Sequence, residues 1–249
     1  MDSLSDKNPL VKQIRRAVSR GSLTEDGYAV AEGAHLLEEA LAAKCEIGAV
    51  IVAESARVHY PDARVVSDKT FREFASTETP QGVIALVRPP ASSWDQIARC
   101  DDALVVVLDG VQDPGNAGAI LRAAEAFGAS GVVFLKGTVN PYNPKCVRGS
   151  AGSVFRVPLI ACMGPDEVLR LTGIAWYAAM PRAQKMVSDA DLAAPCGMII
   201  GSEGHGVSPL LAGHTTGLRI PTSGVESLNA AVAAGILLYE ARRQRANVR

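Results

Sequence analysis

The chain has 249 residues, of which 48% are hydrophobic and 20% are charged, and this is enough apolar material for one or two buried cores. No apolar run approaches the ~20 residues that cross a bilayer, and the N-terminal sequence MDSLSDKNPLVKQIRR has no apolar stretch of the signal-peptide type, so we expect a soluble, cytoplasmic protein with no membrane partner. The net charge of −1 argues weakly against a nucleic-acid partner, because phosphate binding depends on Lys and Arg, but the distribution of these residues matters more than their sum.

The first half of the chain predicts a small α/β domain. Asn8 and Pro9 are typical of an N-cap and the first residue of a helix, which Gly21 ends. Short apolar strands and helices then alternate in the segments YAVAEG, GAHLLEEALAA, AVIVA, ARVVS, DKTFREFAS and QGVIALV. The stretch RPPASSWDQIARCDD interrupts this rhythm with prolines and serines, and we place a linker at residues 91–101, between a domain at 1–90 and a domain at 102–249.

Positive charge is concentrated in the first and last predicted helices. The first set comprises Lys7, Lys12, Arg15, Arg16 and Arg20, and the second comprises Arg242, Arg243, Arg245 and Arg249. Either set could contact nucleic acid. The alternatives are a solvated face for the first helix and a favourable interaction with the C-terminal helix dipole for the last.

The second half predicts a mostly parallel sheet covered by helices on both faces. Its first strand, ALVVVLDG, is a continuous apolar run of the kind that is buried on both faces of a parallel sheet. Further strands in GVVFL, FRVPLI, IAWYAA, GMIIG and GLRI alternate with loops and helices, and a long helix ends the chain. Ligands of such sheets bind at the carboxyl ends of the strands.

Metal ligands and a disulfide framework are not indicated. The five cysteines, at positions 45, 100, 146, 162 and 196, form no C-x-x-C pair, and the four histidines are equally scattered. We therefore predict small buried cysteines and no metal.

Three signatures place glycines and small polar residues where a strand gives way to a loop or helix: DPGNAGAILRAAEAFGA (113–129), MIIGSEGHGVS (198–208) and IPTSGVESLNAAVAAGILLYEARR (220–243). Gly110, Gly115 and Gly118 do not form the G-x-G-x-x-G dinucleotide fingerprint, and the next strand ends at Lys136 where a ribose-binding acid is expected. A nicotinamide-dependent Rossmann oxidoreductase is therefore a poor alternative.

These residues resemble a known family. NAGAILRAAEAFGA, IIGSEGHG and IPTSGVESLNAAVAAGILLYE are similar, in order, to the three motifs of the SpoU-type (TrmH-family) RNA ribose 2′-O-methyltransferases of the SPOUT superfamily. NPYNPKCVRGSAGSVFRVPL resembles the segment that connects the first two motifs. YAVAEGAHLLEEAL and TPQGVIALV are similar to the small substrate-binding domain that often precedes the catalytic one.

The resemblance implies an α/β fold with a SPOUT-type parallel sheet and a deep trefoil knot, preceded by a small α/β domain that binds the RNA. It implies S-adenosyl-L-methionine as cofactor, rRNA or tRNA as substrate, and a homodimer. We expect the dimer to form through the helices of the first and third motifs, whose small residues also suit packing within one chain: Ala123, Ala124, Ala230, Ala231, Ala233 and Ala234.

The motifs also imply site residues. The catalytic set carried over from the family is Asn116, Arg122, Glu203, Ser227 and Asn229. The cofactor is expected near Gly201, Ile220, Ser227, Leu228 and Asn229. For RNA contact we select Lys12, Arg15 and Arg16.

Each catalytic residue has a plainer interpretation. Arg122 could be an ordinary surface arginine, Glu203 a turn residue, and Ser227 and Asn229 capping residues of the last helix. A guanidinium with a pKa above ~12 is a poor proton acceptor, so we expect Arg122 to clamp the 5′-phosphate and stabilise the developing alkoxide, with the general base left open. A non-catalytic RNA-binding or ribosome-assembly protein on the same fold is the main alternative function.

Overall fold

The computed structural model describes residues 4–58, 60–77, 79–98 and 102–246, and the chain divides into two compact units. The first unit combines the described residues of 1–90 with residues 140–156, and the second combines those of 91–139 with 157–246. Cys100, Arg249 and the end of the predicted linker at 99–101 lie outside the described residues.

The first unit contains a mixed four-stranded sheet in the order β1-β4-β2-β3. Its strands are Ala29–Glu32 (β1), Ile47–Ala53 (β2), Arg64–Val66 (β3) and Val83–Val87 (β4). β4 runs antiparallel to β1 and β2, whereas β3 runs parallel to β2. The carboxyl ends of the first three strands and the start of β4 therefore meet at one edge.

Helices cover this sheet where the sequence predicts them. They are Pro9–Arg20 (α1), Ala34–Ala42 (α2) and Asp68–Arg72 (α3). In α1 the Asn8 side chain accepts from the amide of Leu10 at 2.9 Å, and Gly21 ends the helix at φ +60°, as expected for its caps. The side chains that form the core of the unit include Ile14, Val30, Ile51, Phe71, Phe74 and Ile84.

The second unit contains a six-stranded sheet in the order β10-β8-β9-β5-β6-β7. Its strands are Leu104–Asp109 (β5), Gly131–Leu135 (β6), Leu159–Met163 (β7), Ala175–Ala179 (β8), Cys196–Gly201 (β9) and Thr216–Leu218 (β10). Every neighbouring pair is parallel, which confirms the predicted sheet. β5, β6 and β9 are almost wholly buried, as their continuous apolar runs predict.

The α-helices of the second unit are Trp94–Ala98 (α4), Pro114–Ala126 (α5), Pro165–Leu169 (α7), Pro209–His214 (α8) and Ala230–Ala246 (α9). The two long helices, α5 and α9, pack on each other. The predicted linker contributes α4 to this unit. Ile97 of α4 is fully buried in the core of the unit, so apolar packing gives order to a segment whose prolines and serines suggested a linker.

Residues 140–156 follow β6 but pack within the first unit. Their helix, Pro144–Gly149 (α6), contacts β1, and Arg156 forms an ion pair with Glu39. The approach depends on glycines, because a Cβ at Gly21 would meet the Asn143 amide nitrogen at 2.5 Å and a Cβ at Gly152 would meet the Cβ of Glu39 at 2.6 Å. The sequence pattern did not predict that residues 140–156 would pack in the first unit although the segments on both sides of them belong to the second.

Within the described residues, no helix is long and apolar enough to cross a membrane, and no cluster of His, Cys, Asp and Glu could hold a metal ion. The described cysteines, Cys45, Cys146, Cys162 and Cys196, are free thiols. Cys146 and Cys196 are buried as predicted, whereas Cys45 is half-buried and Cys162 is exposed, so the prediction of buried cysteines was wrong for these two.

Candidate active site

The three signatures meet at one edge of the second sheet. Because all of its strands are parallel, the carboxyl ends of β5, β9 and β10 share this edge, and each strand is followed there by one signature. The first signature opens α5, the second forms the turn between β9 and α8, and the third leads into α9. The sheet thus brings together loops that are far apart in the sequence.

A chain of hydrogen bonds links one side chain from each signature. The amide nitrogen Nδ2 of Asn116 donates to Oε1 of Glu203 at 2.5 Å. The Nδ2 of Asn229 donates to Oδ1 of Asn116 at 2.9 Å. Oδ1 of Asn229 in turn accepts from the main-chain amides of Ala231 and Val232 at 2.9 and 3.2 Å, so Asn229 also caps α9.

The direction of this chain is fixed at both ends. The amides at the start of α9 can only donate, and an ionised Glu203 can only accept. Asn229 and Asn116 must therefore each present the oxygen toward α9 and the nitrogen toward Glu203. A carboxylate in place of either amide would lack the donor that the next acceptor needs.

The turn after β9 requires its first glycine. A Cβ on Gly201 would collide with the backbone of Gly206 and Val207. Ser202 and Gly206 exchange main-chain hydrogen bonds at 3.0 and 2.9 Å, which closes a tight loop around Glu203. This close approach of two backbone segments holds Glu203 at the site.

A pocket of about 800 Å³, including its open mouth, lies beside this loop. Its walls include Met180, Gly201, Glu203, Leu218, Ile220, Glu226, Ser227 and Leu228. Within the described residues, the main-chain amides of Ile220 and Leu228 make no hydrogen bond and can serve a ligand. The arrangement combines apolar side chains with free backbone donors, as small-molecule pockets commonly do.

The predicted catalytic residues separate into three groups. Asn116, Glu203 and Asn229 form the chain just described. Ser227 lines the pocket and has no hydrogen-bond partner in the described part of the chain. Arg122 lies on the exposed face of α5, joins none of the others, and makes no hydrogen bond or ion pair with any described residue.

Two functional positions were missed by the sequence analysis. Oδ2 of Asp109, the last residue of β5, accepts from the amide of Ser208 at 2.6 Å and fixes the far end of the β9 turn. Met180 directly follows β8 and lines the pocket. Their position at the carboxyl ends of strands was the available signal.

The predicted RNA-contacting residues of α1 are partly engaged. Arg15 pairs with Asp6 at 3.2 Å and Glu73 at 2.5 Å, and Arg16 pairs with Glu25 at 2.8 Å. Lys12 is exposed and has no partner among the described residues.

Two arginines of the last helix serve the fold, whereas Arg242 is exposed and has no partner among the described residues. Arg243 hydrogen-bonds to Glu240 and lowers the pKa of that carboxyl to about 2. Arg245 donates to the main-chain carbonyls of Leu192 at 2.9 Å and of Ala103 and Ala194 at 3.0 Å.

Comparison with known proteins identifies the family. The model described as the SpoU rRNA Methylase family matches residues 103–239, which contain the whole site. The chain belongs to this family. A second model, described as the MRM3-like substrate binding domain, matches residues 8–85. The predictions of an S-adenosylmethionine-dependent RNA 2′-O-methyltransferase and of a preceding substrate-binding domain are thereby confirmed.

Individual relatives of the SpoU family agree over nearly the whole length. An uncharacterized tRNA/rRNA methyltransferase of Synechocystis sp. is 36% identical over 96% of this chain and 93% of its own. The 23S rRNA (guanosine(2553)-2′-O)-methyltransferase RlmP of Bacillus subtilis is 31% identical over 96% of this chain and 98% of its own. The SpoU methyltransferase AviRb of Streptomyces viridochromogenes, solved in complex with the cofactor AdoMet, superposes with a TM-score of 0.86 at 28% identity, covering 96% of this chain and 99% of that one.

The pocket fits the cofactor of the SpoU family. Adenosylmethionine has a flat adenine with donor and acceptor edges, and a charged amino-acid tail. Ile220, Leu228 and Met180 give the pocket apolar walls that suit an adenine, and the amides of Ile220 and Leu228, which are free within the described residues, suit its ring nitrogens. Glu226 also lines the pocket, and its carboxylate lies 3.8 Å from the guanidinium group of Arg182.

Proposed function

We propose that this enzyme methylates a ribose 2′-hydroxyl of 23S rRNA, with the cofactor held in the pocket beside Glu203. The observation that carries the proposal is the hydrogen-bonded chain of Asn116, Asn229 and Glu203, which joins all three signatures and whose Glu203 lines that pocket. The choice of 23S rRNA is supported by the names of several relatives, RlmP among them. An rRNA substrate also supports a cytoplasmic location.

The residues divide the chemistry between them. Bound adenosylmethionine supplies an electrophilic methyl group on a sulfonium; the new bond joins this methyl to the 2′-oxygen, the sulfur–methyl bond breaks, and the hydroxyl proton leaves to a base or to water. Arg122 is free to grip the phosphate next to the reacting ribose through two parallel hydrogen bonds and to stabilise charge on the 2′-oxygen. Ser227, whose hydroxyl is unpartnered, orients the ribose or the cofactor.

The working unit in this proposal is a homodimer. Ala124, Ala230 and Ala234 are buried within the chain, where α5 and α9 pack, so they are not available to a partner. The outer face of the same helices exposes Val232 by 50% and Tyr239 by 55%. We place the dimer contact on this face. Sedimentation should show a dimer for the natural chain and a monomer for Val232→Glu with Tyr239→Glu, and a natural chain that sediments as a monomer would contradict the assignment.

The trefoil knot also belongs to the proposal. Its support is membership of the SpoU family and the superposition on AviRb of Streptomyces viridochromogenes.

The test of function is methyl transfer in vitro. Purified protein with radiolabelled adenosylmethionine should methylate protein-free 23S rRNA but not 16S rRNA, and the product should carry one position resistant to alkaline cleavage, as a 2′-O-methyl requires. Label that enters only tRNA would overturn the choice of substrate. Binding of 23S rRNA without transfer would favour the non-catalytic alternative.

A further inference from the structure

A cleft opens at the carboxyl edge of the first sheet. β1, β2 and β3 end at this edge and β4 begins there. The cleft lies between the segment after β2, helix α3 and the turn before β4, and its lining includes Arg57, Asp68, Phe71, Arg72 and Gln81. All of its lining residues belong to the first unit, so it is a different cavity from the pocket beside Glu203.

Its cationic side chains have no partner. Arg57 and Arg72 are both exposed, and neither forms a hydrogen bond or an ion pair with any described residue. The amide of Gln81 is likewise exposed and unpartnered within the described chain. Two guanidinium groups and an amide thus face the cleft with their donors free.

The nearby acids are already occupied. Oδ1 of Asp68 accepts from the amide and hydroxyl of Ser55 at 3.2 and 2.8 Å, and Glu54 accepts from the amide of Asp68 at 3.4 Å. Glu32, at the same edge, is buried and hydrogen-bonded to Ser76. These carboxylates are engaged with donors of the fold, and the arginines remain unpaired.

In helix α1, by contrast, Arg15 and Arg16 are paired with carboxylates. Arg15 is shared between Asp6 and Glu73, and Arg16 is paired with Glu25, so an RNA phosphate would have to displace a carboxylate from each. Arg15 and Arg16, which the sequence analysis selected for RNA contact, are thus paired, whereas Arg57 and Arg72 of the cleft have no partner among the described residues.

Small groups and a buried ring form part of the cleft. Ala53 and Ala56 line it, and the ring of Phe71 is almost fully buried beneath it. Gly82 adopts φ +77°, and a Cβ there would meet the Cβ of Ala56 at 2.7 Å, so the two loops that form the walls lie close together. A cleft with exposed guanidinium groups suits an unpaired nucleotide, whose phosphates meet one guanidinium group while its base stacks on the plane of another.

We propose that this cleft binds an unpaired nucleotide of the RNA substrate, with one of Arg57 and Arg72 on its phosphates, the other stacked on its base, and Gln81 on its base edge. The inference rests on the proposed function, since it assigns the recognition surface for the same RNA. It predicts that the first unit recognises a loop or bulge in preference to a continuous duplex.

The experiment compares two double variants that remove the same charge. Arg57→Ala with Arg72→Ala empties the cleft of its cations. Arg20→Ala with Arg64→Ala is the control, because these arginines are also exposed and unpartnered among the described residues but do not line the cleft. Both variants should keep the melting temperature and the adenosylmethionine affinity of the natural chain.

Affinity for a 23S rRNA transcript is then measured against salt concentration. The cleft variant should bind at least about tenfold more weakly and lose about one unit of the log–log salt slope, whereas the control should change far less. Equal effects of the two variants, or none from the cleft variant, would overturn the inference. Methyl transfer by the natural chain is scored separately, so failure of the proposed function is seen in that assay and failure of the cleft in the binding assay.

Discussion

Glu203 in the second unit and Glu32 in the first gather donors from segments far apart in sequence, but their surroundings differ. The Glu32 side chain is 4% exposed and accepts from the amide and hydroxyl of Ser76 and the hydroxyl of Thr77, with Arg148 at 3.9 Å. Glu203 is exposed and has a single side-chain donor, Asn116. A buried carboxylate must be satisfied by the fold, whereas an exposed one keeps acceptor sites for a ligand.

The difference indicates what each cluster does. The Glu32 cluster joins β1, the segment after α3 and the inserted residues 140–156, so it stabilises the first unit. The Glu203 cluster joins three loops, and Glu203 itself lines a pocket, so this cluster shapes a site.

The largest effect on stability is expected from Glu32→Ala. Arg148, which is 39% exposed, and the donors of Ser76 and Thr77 would lose their acceptor, and leaving buried donors unsatisfied costs about 1 to 3 kcal/mol. Glu203→Ala is the matched control and should change unfolding by less than about 1 kcal/mol, because its carboxylate is exposed. Urea unfolding of the full chain measures both, and equal losses would remove the distinction between the two clusters.

Arg122→Ala should have the largest effect on catalysis alone. One lost preorganised donor lowers the rate by about 10²- to 10³-fold, and stability and cofactor affinity should stay the same because Arg122 has no described partner. Arg122→Lys should also fail, because an ammonium cannot make two parallel bonds. Single-turnover rates with saturating RNA decide this, with Arg170→Ala as an exposed control. A Lys variant of near-normal rate would show that charge alone suffices.

Asn116→Asp tests the direction of the hydrogen-bond chain. The change keeps the shape but sets two carboxylates against each other, which should weaken adenosylmethionine binding by about 1 to 3 kcal/mol. Adding Glu203→Gln should restore much of it, because the new amide would donate to the introduced carboxylate, which can still accept from Asn229. Calorimetry of the single and double variants measures this rescue. A double variant no better than Asn116→Asp would mean that the polarity of the chain is unimportant.

The smallest effect is expected at the paired arginines of α1. Arg15→Ala and Arg16→Ala should each change RNA affinity by less than about 1 kcal/mol, because each removes a cation that carboxylates already neutralise. Salt-dependent binding to the 23S rRNA transcript provides the measurement. A loss of RNA affinity as large as that of the cleft variant would indicate that the RNA contacts α1.

Much of the fold could be predicted from the sequence because its signals are local. The caps of α1 at Asn8 and Gly21 and the apolar runs of β5 and β9 depend on neighbouring residues only. The insertion of residues 140–156 into the first unit could not be predicted, since it depends on the absence of a Cβ at Gly21 and Gly152 opposite side chains distant in sequence.

Local sequence patterns could not predict the geometry of the site either. Family motifs named Asn116, Glu203 and Asn229, yet their mutual hydrogen bonds come from the order of β10, β8, β9 and β5 in the sheet, which no local pattern encodes. Basic residues could be counted along α1, but their pairing with Glu25 and Glu73 depends on tertiary packing. The charge pattern alone therefore could not show that Arg15 and Arg16 are already paired.

The central claim, that the pocket beside the β9 turn binds adenosylmethionine, is tested most directly by two glycine substitutions in that turn. A methyl group on Gly201 would collide with the backbone of Gly206 and Val207, whereas one on Gly204 would have no atom within 4 Å. Calorimetry should show binding by the natural chain and by Gly204→Ala, and at least tenfold weaker binding by Gly201→Ala, the scale of about 1.4 kcal/mol. Normal binding by Gly201→Ala, or no binding by the natural chain, would contradict this placement of the cofactor.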